Sequence, residues 1–209
     1  MTHAVIWDVE FLTDADAPQR FWCGPTDPDP VLVQIGAVEL RLTGACDLGA
    51  RFSQIVIPRT RDGDRWPLPD LFTRLTGITE DRVTGEGVEL AEALADFDRF
   101  TAGVPVWAWG NDELFAVAIS CYLAGLAPPL AATRFGNATR LLARAGEPIE
   151  AIHGLRSDRL AAHFGLATEA LRAHDALGDA LSTALALQHL LRSGRLAAAD
   201  FAHDRRAGA

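Results

Sequence analysis

The chain has 209 residues, 49 % hydrophobic and 22 % charged, with a formal net charge of −9. That length fits one domain with a full-sized core, and no apolar run approaches the roughly 20 residues of a membrane span. The acidic balance argues against a protein that coats nucleic acid through a broad basic face, but it is compatible with an acidic site neutralised by metal ions.

In chain order, residues 3–9 read as a buried strand. Residues 31–42, VLVQIGAVELRL, read as a second, and residues 50–58, ARFSQIVIP, as a third that Pro58 stops. Between the first two lies a loop over 11–30, rich in Asp and Pro; loops of that length inside a domain are commonly functional. The segment TRDGDRWPLP is a second loop. Short helices follow at 68–75 and about 79–84, joined by a turn at Gly77, and a longer one at 88–102 ends at Gly103. Residues 104–109, VPVWAW, read as a strand, with a helix at about 112–124 after it. A short strand near 133–136 leads to helices at about 138–145 and 155–164, and the last helix runs from about 176 to 193. We expect a single domain over 1–195 and a loosely held tail over 196–209. Three early strands with short connections suggest an antiparallel meander, and the later alternation suggests parallel additions. Together they predict a mixed five-stranded sheet with helices on both faces, an α/β fold.

The N-terminus, MTHAVIWDVE, lacks a basic leader region, so no signal or transit peptide is expected. Cys23, Cys46 and Cys121 are scattered, odd in number and without CxxC spacing, which suits free thiols in a reducing, cytoplasmic setting. All 19 basic residues are Arg, so any cationic phosphate contact must be a guanidinium.

Three places carry candidate chemistry. In VIWDVEF, Asp8 and Glu10 stand two residues apart, so on a strand they share a face. Two such carboxylates repel, and need arginines, solvent or a divalent cation; a strand surfacing into water is the plain alternative. In VWAWGNDELF, a strand enters a helix through Gly110–Asn111–Asp112. Asn111 or Asp112 can be a helix cap, or Asp112 can face a ligand at the carboxyl edge of the sheet. In RAHDALGDALSTALAL, His174 precedes the last helix, Asp175 is a candidate cap, and Asp179 lies in the first turn, where the helix dipole also favours an acid.

Taken together, the order DxE, Asp, then HxxxxD resembles the DEDDh group of 3′–5′ exonucleases, on the ribonuclease H-like fold. VQIGAVEL at 33–40, FTRLTGITEDRV at 72–83 and LAAHFGL at 160–166 look like further segments of that group, and WGNDELF looks like the form found in Eri-type exoribonucleases. The likeness runs from about residue 4 to 192. It departs after the DxE, where Phe11 and Leu12 replace the group's usual small residues. The resemblance implies a metal site of Asp8, Glu10, Asp112 and Asp179 holding two divalent cations, Mg²⁺ or Mn²⁺, with His174 as general base. His153 and His163 are the alternatives for that base. It also implies binding of single-stranded RNA or DNA 3′ ends, with Phe11, Leu12, Leu75 and Phe115 as substrate contacts. RNA is slightly favoured over DNA, and a homodimer is implied by analogy with ribonuclease T and oligoribonuclease. Arg134, Arg140, Arg156 and Arg159 are candidate phosphate contacts, with a solvated face as the plain alternative for each, while Trp7, Trp107 and Trp109 read as packing residues; in the long loop Arg20, Phe21 and Trp22 touch either substrate or nothing. A non-catalytic interaction module and an endonuclease on the same fold are the competing readings.

Overall fold

The computed structural model describes residues 2–168 and 171–202. Strands β1 (His3–Phe11), β2 (Leu32–Arg41) and β3 (Leu48–Ile55) form the antiparallel meander. Helices α1 (Asp70–Thr76), α2 (Glu80–Glu86) and α3 (Leu90–Thr101) follow, then β4 (Val106–Ala108), α4 (Asp112–Ala124) and β5 (Phe135–Asn137). The chain continues through α5 (Ala138–Arg144), α6 (Ile149–His153), α7 (Leu160–His163) and the long α8 (Ala176–Arg192). The sheet order is β3-β2-β1-β4-β5, with β4 and β5 parallel to the central β1, as the sequence predicts.

Local chemistry sets the boundaries. Gly77, at φ 67°, ends α1, and the Thr79 side chain accepts from Arg82 N to start α2. Gly110, at φ 101°, makes the turn from β4 toward α4, a conformation that costs a residue with a Cβ. The single helix expected at 155–164 is instead a 3₁₀ turn at Ser157–Arg159 leading into the short α7, and α6 is an additional helix upstream.

Alternation along β1 feeds two cores. Ala4 and Ile6 join Val38 and Leu40 under α8 and α5, while Val5, Trp7 and Val9 pack on α3 and α4 through Leu94, Phe97, Ala116 and Val117. A third cluster at the end of the sheet joins Leu12, Val31 and Val33 to Phe72 of α1, Val83 of α2 and Ile78 in the turn between them. The stretch from residue 196, expected to hang loosely, is packed as far as Phe201. Leu196 and Phe201 are buried, the Phe201 ring meets the Trp107 ring edge-on at 5.7 Å, and Asp200 pairs with Arg144 at 3.0 Å. Apolar burial overrides the tail expectation there; residues 203–209 lie outside the described residues. No described helix is long and apolar enough to cross a membrane.

Candidate active site

Asp8 and Glu10 continue the face of β1 that begins with Ala4 and Ile6, the face on which α8 lies. They stand where the hydrophobic cover of the strand ends. Two β2 residues bring α8 to them. Gly36 is directly opposite Asp8, and a Cβ there would lie 2.1 Å from Leu177 N, so only glycine lets the first turn of α8 approach this closely. Gln34, almost fully buried opposite Glu10, donates to Asp175 Oδ1 at 2.9 Å and accepts from Ala176 N at 3.1 Å. Asp175 caps the helix by accepting from Gly178 N at 3.1 Å. Asp179 is thereby delivered to β1: Asp8, Glu10 and Asp179 each offer a carboxylate oxygen within 4.8 Å of the others.

The fourth carboxylate is Glu113. Its side chain is buried, it lines the same cleft as Asp8, and its charge is among the causes that raise the proton affinity of Asp8. Asp112 also lines the cleft, but it is exposed at the first position of α4 and outside the group of three. Glu113, Ala116, Val117, Ser120 and Cys121 form the buried stripe of α4. The sequence carries no clear signal for Glu113, because α4 is also apolar on its exposed side, at Phe115 and Tyr122.

Burial raises the proton affinity of the whole group. Asp8 is held well above the usual carboxylate range by burial, then by the charges of Glu113, Asp179 and Glu10. Burial, with Asp179 and Asp175 nearby, pushes Glu10 up to about 8. Burial and the charge of Asp112 push Glu113 up to about 8, and burial with Asp158 raises Asp179 to about 7. Glu113 Oε2 is buried without a hydrogen-bond partner among the described residues. Oxygen-only donors and an unpaired buried carboxylate oxygen fit a hard divalent cation, whose charge would reverse every one of these shifts.

His174 lies in the turn before α8 at φ 57° and lines the same cleft, of about 520 Å³. Its Nε2 is 3.0 Å from Arg156 Nη2; the guanidinium can only donate, so Nε2 accepts. Burial and then Arg156 lower its pKa. Arg156 is also paired with Asp158 at 3.2 Å. Phe11, Leu75 and Trp22 form the other side of the cleft, with the Phe11 and Trp22 rings 5.6 Å apart. Phe21 beside Trp22 is exposed, and Arg20 ties the loop to itself through Asp27 at 2.6 Å.

Two expected substrate contacts lie elsewhere. Leu12 is fully buried, because α1 and α2 cover the β1 face beyond Glu10. Phe115 is on the outward side of α4, 59 % exposed, and does not line the cleft. Of the other candidates, Arg134 is committed to Asp98 at 2.6 Å and to Val104 O, and His163 to Glu147 at 3.1 Å. Arg159 lies 3.9 Å from Asp158. Arg140 and His153 line a separate, adjoining cleft with Trp109, whose indole N–H donates to Leu155 O at 3.3 Å.

No family model and no curated protein matches the sequence. Solved structures do. A full-length 3′-exonuclease superposes with TM-score 0.73 at 18 % identity, covering 92 % of this chain and 61 % of that one. A 3′-exonuclease solved for 3′-end-specific recognition of a histone mRNA stem-loop gives TM-score 0.70 at 18 % identity over 92 % of this chain and 83 % of that one. Exonuclease I of E. coli, in a zinc-bound complex with single-stranded DNA, gives 0.62 at 17 % identity, 93 % of this chain and 41 % of that one. The chain thus shares the mixed five-stranded α/β fold of these exonucleases and spans less than two thirds of the first.

Proposed function

We propose that the chain is a metal-dependent 3′–5′ exonuclease that removes nucleoside 5′-monophosphates from the 3′ ends of single-stranded nucleic acid. The observation that carries this reading is the convergence of Asp8, Glu10 and Asp179, with Glu113 against Asp8, at the carboxyl end of the central strand and beside His174. The structural neighbours support the reaction class, and the histone mRNA and single-stranded DNA named for two of them support the substrate class.

In this reading Asp8, Glu10, Glu113 and Asp179 hold two divalent cations, Mg²⁺ or Mn²⁺. Glu113 takes the place that the resemblance gives to Asp112. When bound, the ions supply Lewis acidity to the scissile phosphate and acidify water at the site. The chain's own groups do the rest. Phe11, Trp22 and Leu75 receive the terminal nucleotide by stacking and apolar contact. His174 Nε2, unprotonated near neutrality because its pKa is depressed, takes the proton of the attacking water. Arg156 has a phosphate to bind in place of His174, and its shift frees the Nε2 lone pair. The bond to the leaving 3′ oxygen breaks as the new P–O bond forms, which leaves the phosphate on the released nucleotide's 5′ side.

The test uses 5′-labelled single-stranded RNA and DNA of one sequence, with Mn²⁺ or Mg²⁺, and wild type against Asp8→Ala. A ladder shortening from the 3′ end, absent in the mutant, supports the reading, and the faster substrate decides between RNA, slightly favoured on resemblance, and DNA. Internal fragments would point to an endonuclease. A folded protein with no metal-dependent product would point to the interaction module. The homodimer belongs to the same proposal and is checked by light scattering. The free thiols of Cys23, Cys46 and Cys121 suit a cytoplasmic setting.

A further inference from the structure

Toward Phe11 and Leu75 the cleft beside the carboxylates is walled by Pro18 and Trp22 of the long loop and by Phe72 of α1, which suits a chain end. Toward Trp109 and Leu155 it meets a second depression of about 350 Å³ that shares both residues as its wall. The Trp109–Leu155 hydrogen bond ties that wall together, and Asn137 Oδ1, accepting from Gly110 N at 3.3 Å and Thr139 N at 2.9 Å, ties the turn of Trp109 to the start of α5.

The second depression has an apolar floor of Ile152 and Ala143, a half-exposed Ile149 at its edge, and two basic side chains, Arg140 and His153. Arg140 is exposed and makes no ion pair among the described residues. Arg134 and Arg144, on either side of it in the sequence, pair with Asp98 and Asp200, and Arg195 pairs with Glu147. On a chain of net charge −9, a guanidinium without an ion pair in the depression next to the acidic cleft offers a strand running out of that cleft a phosphate contact beyond Arg156.

We propose that this second cleft is an upstream nucleotide subsite: the third nucleotide from the 3′ end packs on the exposed Ile149 at its edge, with its phosphate on Arg140. The proposal rests on the exonuclease reading and adds to it a substrate class, single strands of at least three nucleotides in preference to dinucleotides. The base gains apolar contact with Ile149, and the phosphate gains a planar fork that can hold two oxygens.

The experiment measures KM and kcat with Mn²⁺ on oligo(U) and oligo(dT) of two, three, four and six nucleotides, for wild type, Arg140→Glu, Arg140→Lys and Ile149→Asp. Arg140 and Ile149 are surface residues, so folding is not at stake, and circular dichroism checks it. For wild type, KM should fall about tenfold between two and four nucleotides. Arg140→Glu and Ile149→Asp should flatten that step, acting on KM with little change in kcat, and Arg140→Lys should restore most of it. The salt dependence of KM on the longer strands should lessen by about 0.7 in log–log slope in Arg140→Glu. Wild-type turnover with a KM independent of length, or variants that change every length alike, overturns the subsite and leaves the exonuclease standing. Wild-type inactivity at every length, metal present, removes the exonuclease reading and the subsite with it.

Discussion

Asp112 and Glu113 are adjacent in sequence, yet one is in solvent and the other is buried against Asp8. A carboxylate held in a low-dielectric site acts at close range on whatever charge binds there, whereas an exposed one is screened. Glu113→Gln should therefore lower metal-dependent turnover by about 10–100-fold, the loss seen when groups that support a metal are removed. Asp112→Asn should stay within about threefold of wild type, because Asp112 lines the cleft but is exposed, and solvent screens its charge. Initial rates across a Mn²⁺ titration separate the two, and equal losses in both variants would show that Asp112 reaches the ions. Leu12 and Phe11 make a similar pair. Phe11→Ala should raise KM for short single strands about tenfold through lost stacking. Leu12→Ala should instead lower stability by about 2–5 kcal/mol, the cost of a cavity in a core. Urea unfolding beside steady-state kinetics distinguishes the two effects.

At the scale of an element, α8 is the part that assembles the site, and β2 decides where it sits. Gln34 satisfies the cap and the first free N–H of the helix, and Gly36 gives its backbone room against the sheet. Gly36→Ala would put a methyl group into Leu177 N, and neither strand nor helix can yield without moving Asp179. We expect a stability loss of about 1–3 kcal/mol from the overpacking and a disproportionate loss of kcat, because a shift of about 1 Å at a reacting group costs about 100-fold. Chemical denaturation read against kcat tests this. A variant with lower stability and unchanged kcat would mean that α8 does not set the geometry. The same elements explain why VQIG belongs to the site without contributing a ligand.

For the whole molecule, the carboxylate cluster makes stability depend on pH and metal together. Glu10, Glu113 and Asp179 have folded-state pKa values raised to about 8, about 8 and about 7, and Asp8 is raised as well. A carboxyl with a raised folded pKa binds its proton more tightly when folded, so its stabilising contribution is complete below the unfolded value near 4 and is lost as pH rises through the folded value. In EDTA, the melting temperature should fall from pH 5 to pH 8.5 on account of these groups. Divalent cation binds the ionised, folded cluster, so millimolar Mn²⁺ or Mg²⁺ should flatten or reverse that slope. Thermal unfolding at both pH values, with and without metal, measures it. A slope unchanged by metal would count against the cluster as a cation site.

The sequence by itself determined the sheet. Alternation in HAVIWDVEF and the punctuation by Gly77, Gly103 and Gly194 mark strands and helices from local chemistry, and local chemistry is written in adjacent residues. It also placed Asp8, Glu10, His174 and Asp179 at element ends that the tertiary structure brings together. Tertiary structure alone decided the fourth carboxylate. Helix α4 carries Phe115 and Tyr122 on its exposed side as well as Ala116, Val117 and Cys121 on its buried one, so its apolar period does not say which way it faces. Packing against Trp7 and Val9 of β1 settles the rotation, sends Glu113 inward, leaves Asp112 exposed at the cleft and turns Phe115 away from it. The division of Phe11 from Leu12 has the same origin. Both follow the DxE, and only the cover of α1 and α2, built from residues some sixty positions further on, turns one into core and leaves the other at the cleft. The meeting of Arg156 with His174 likewise needs the folded chain, since nothing in either residue's local sequence specifies the other.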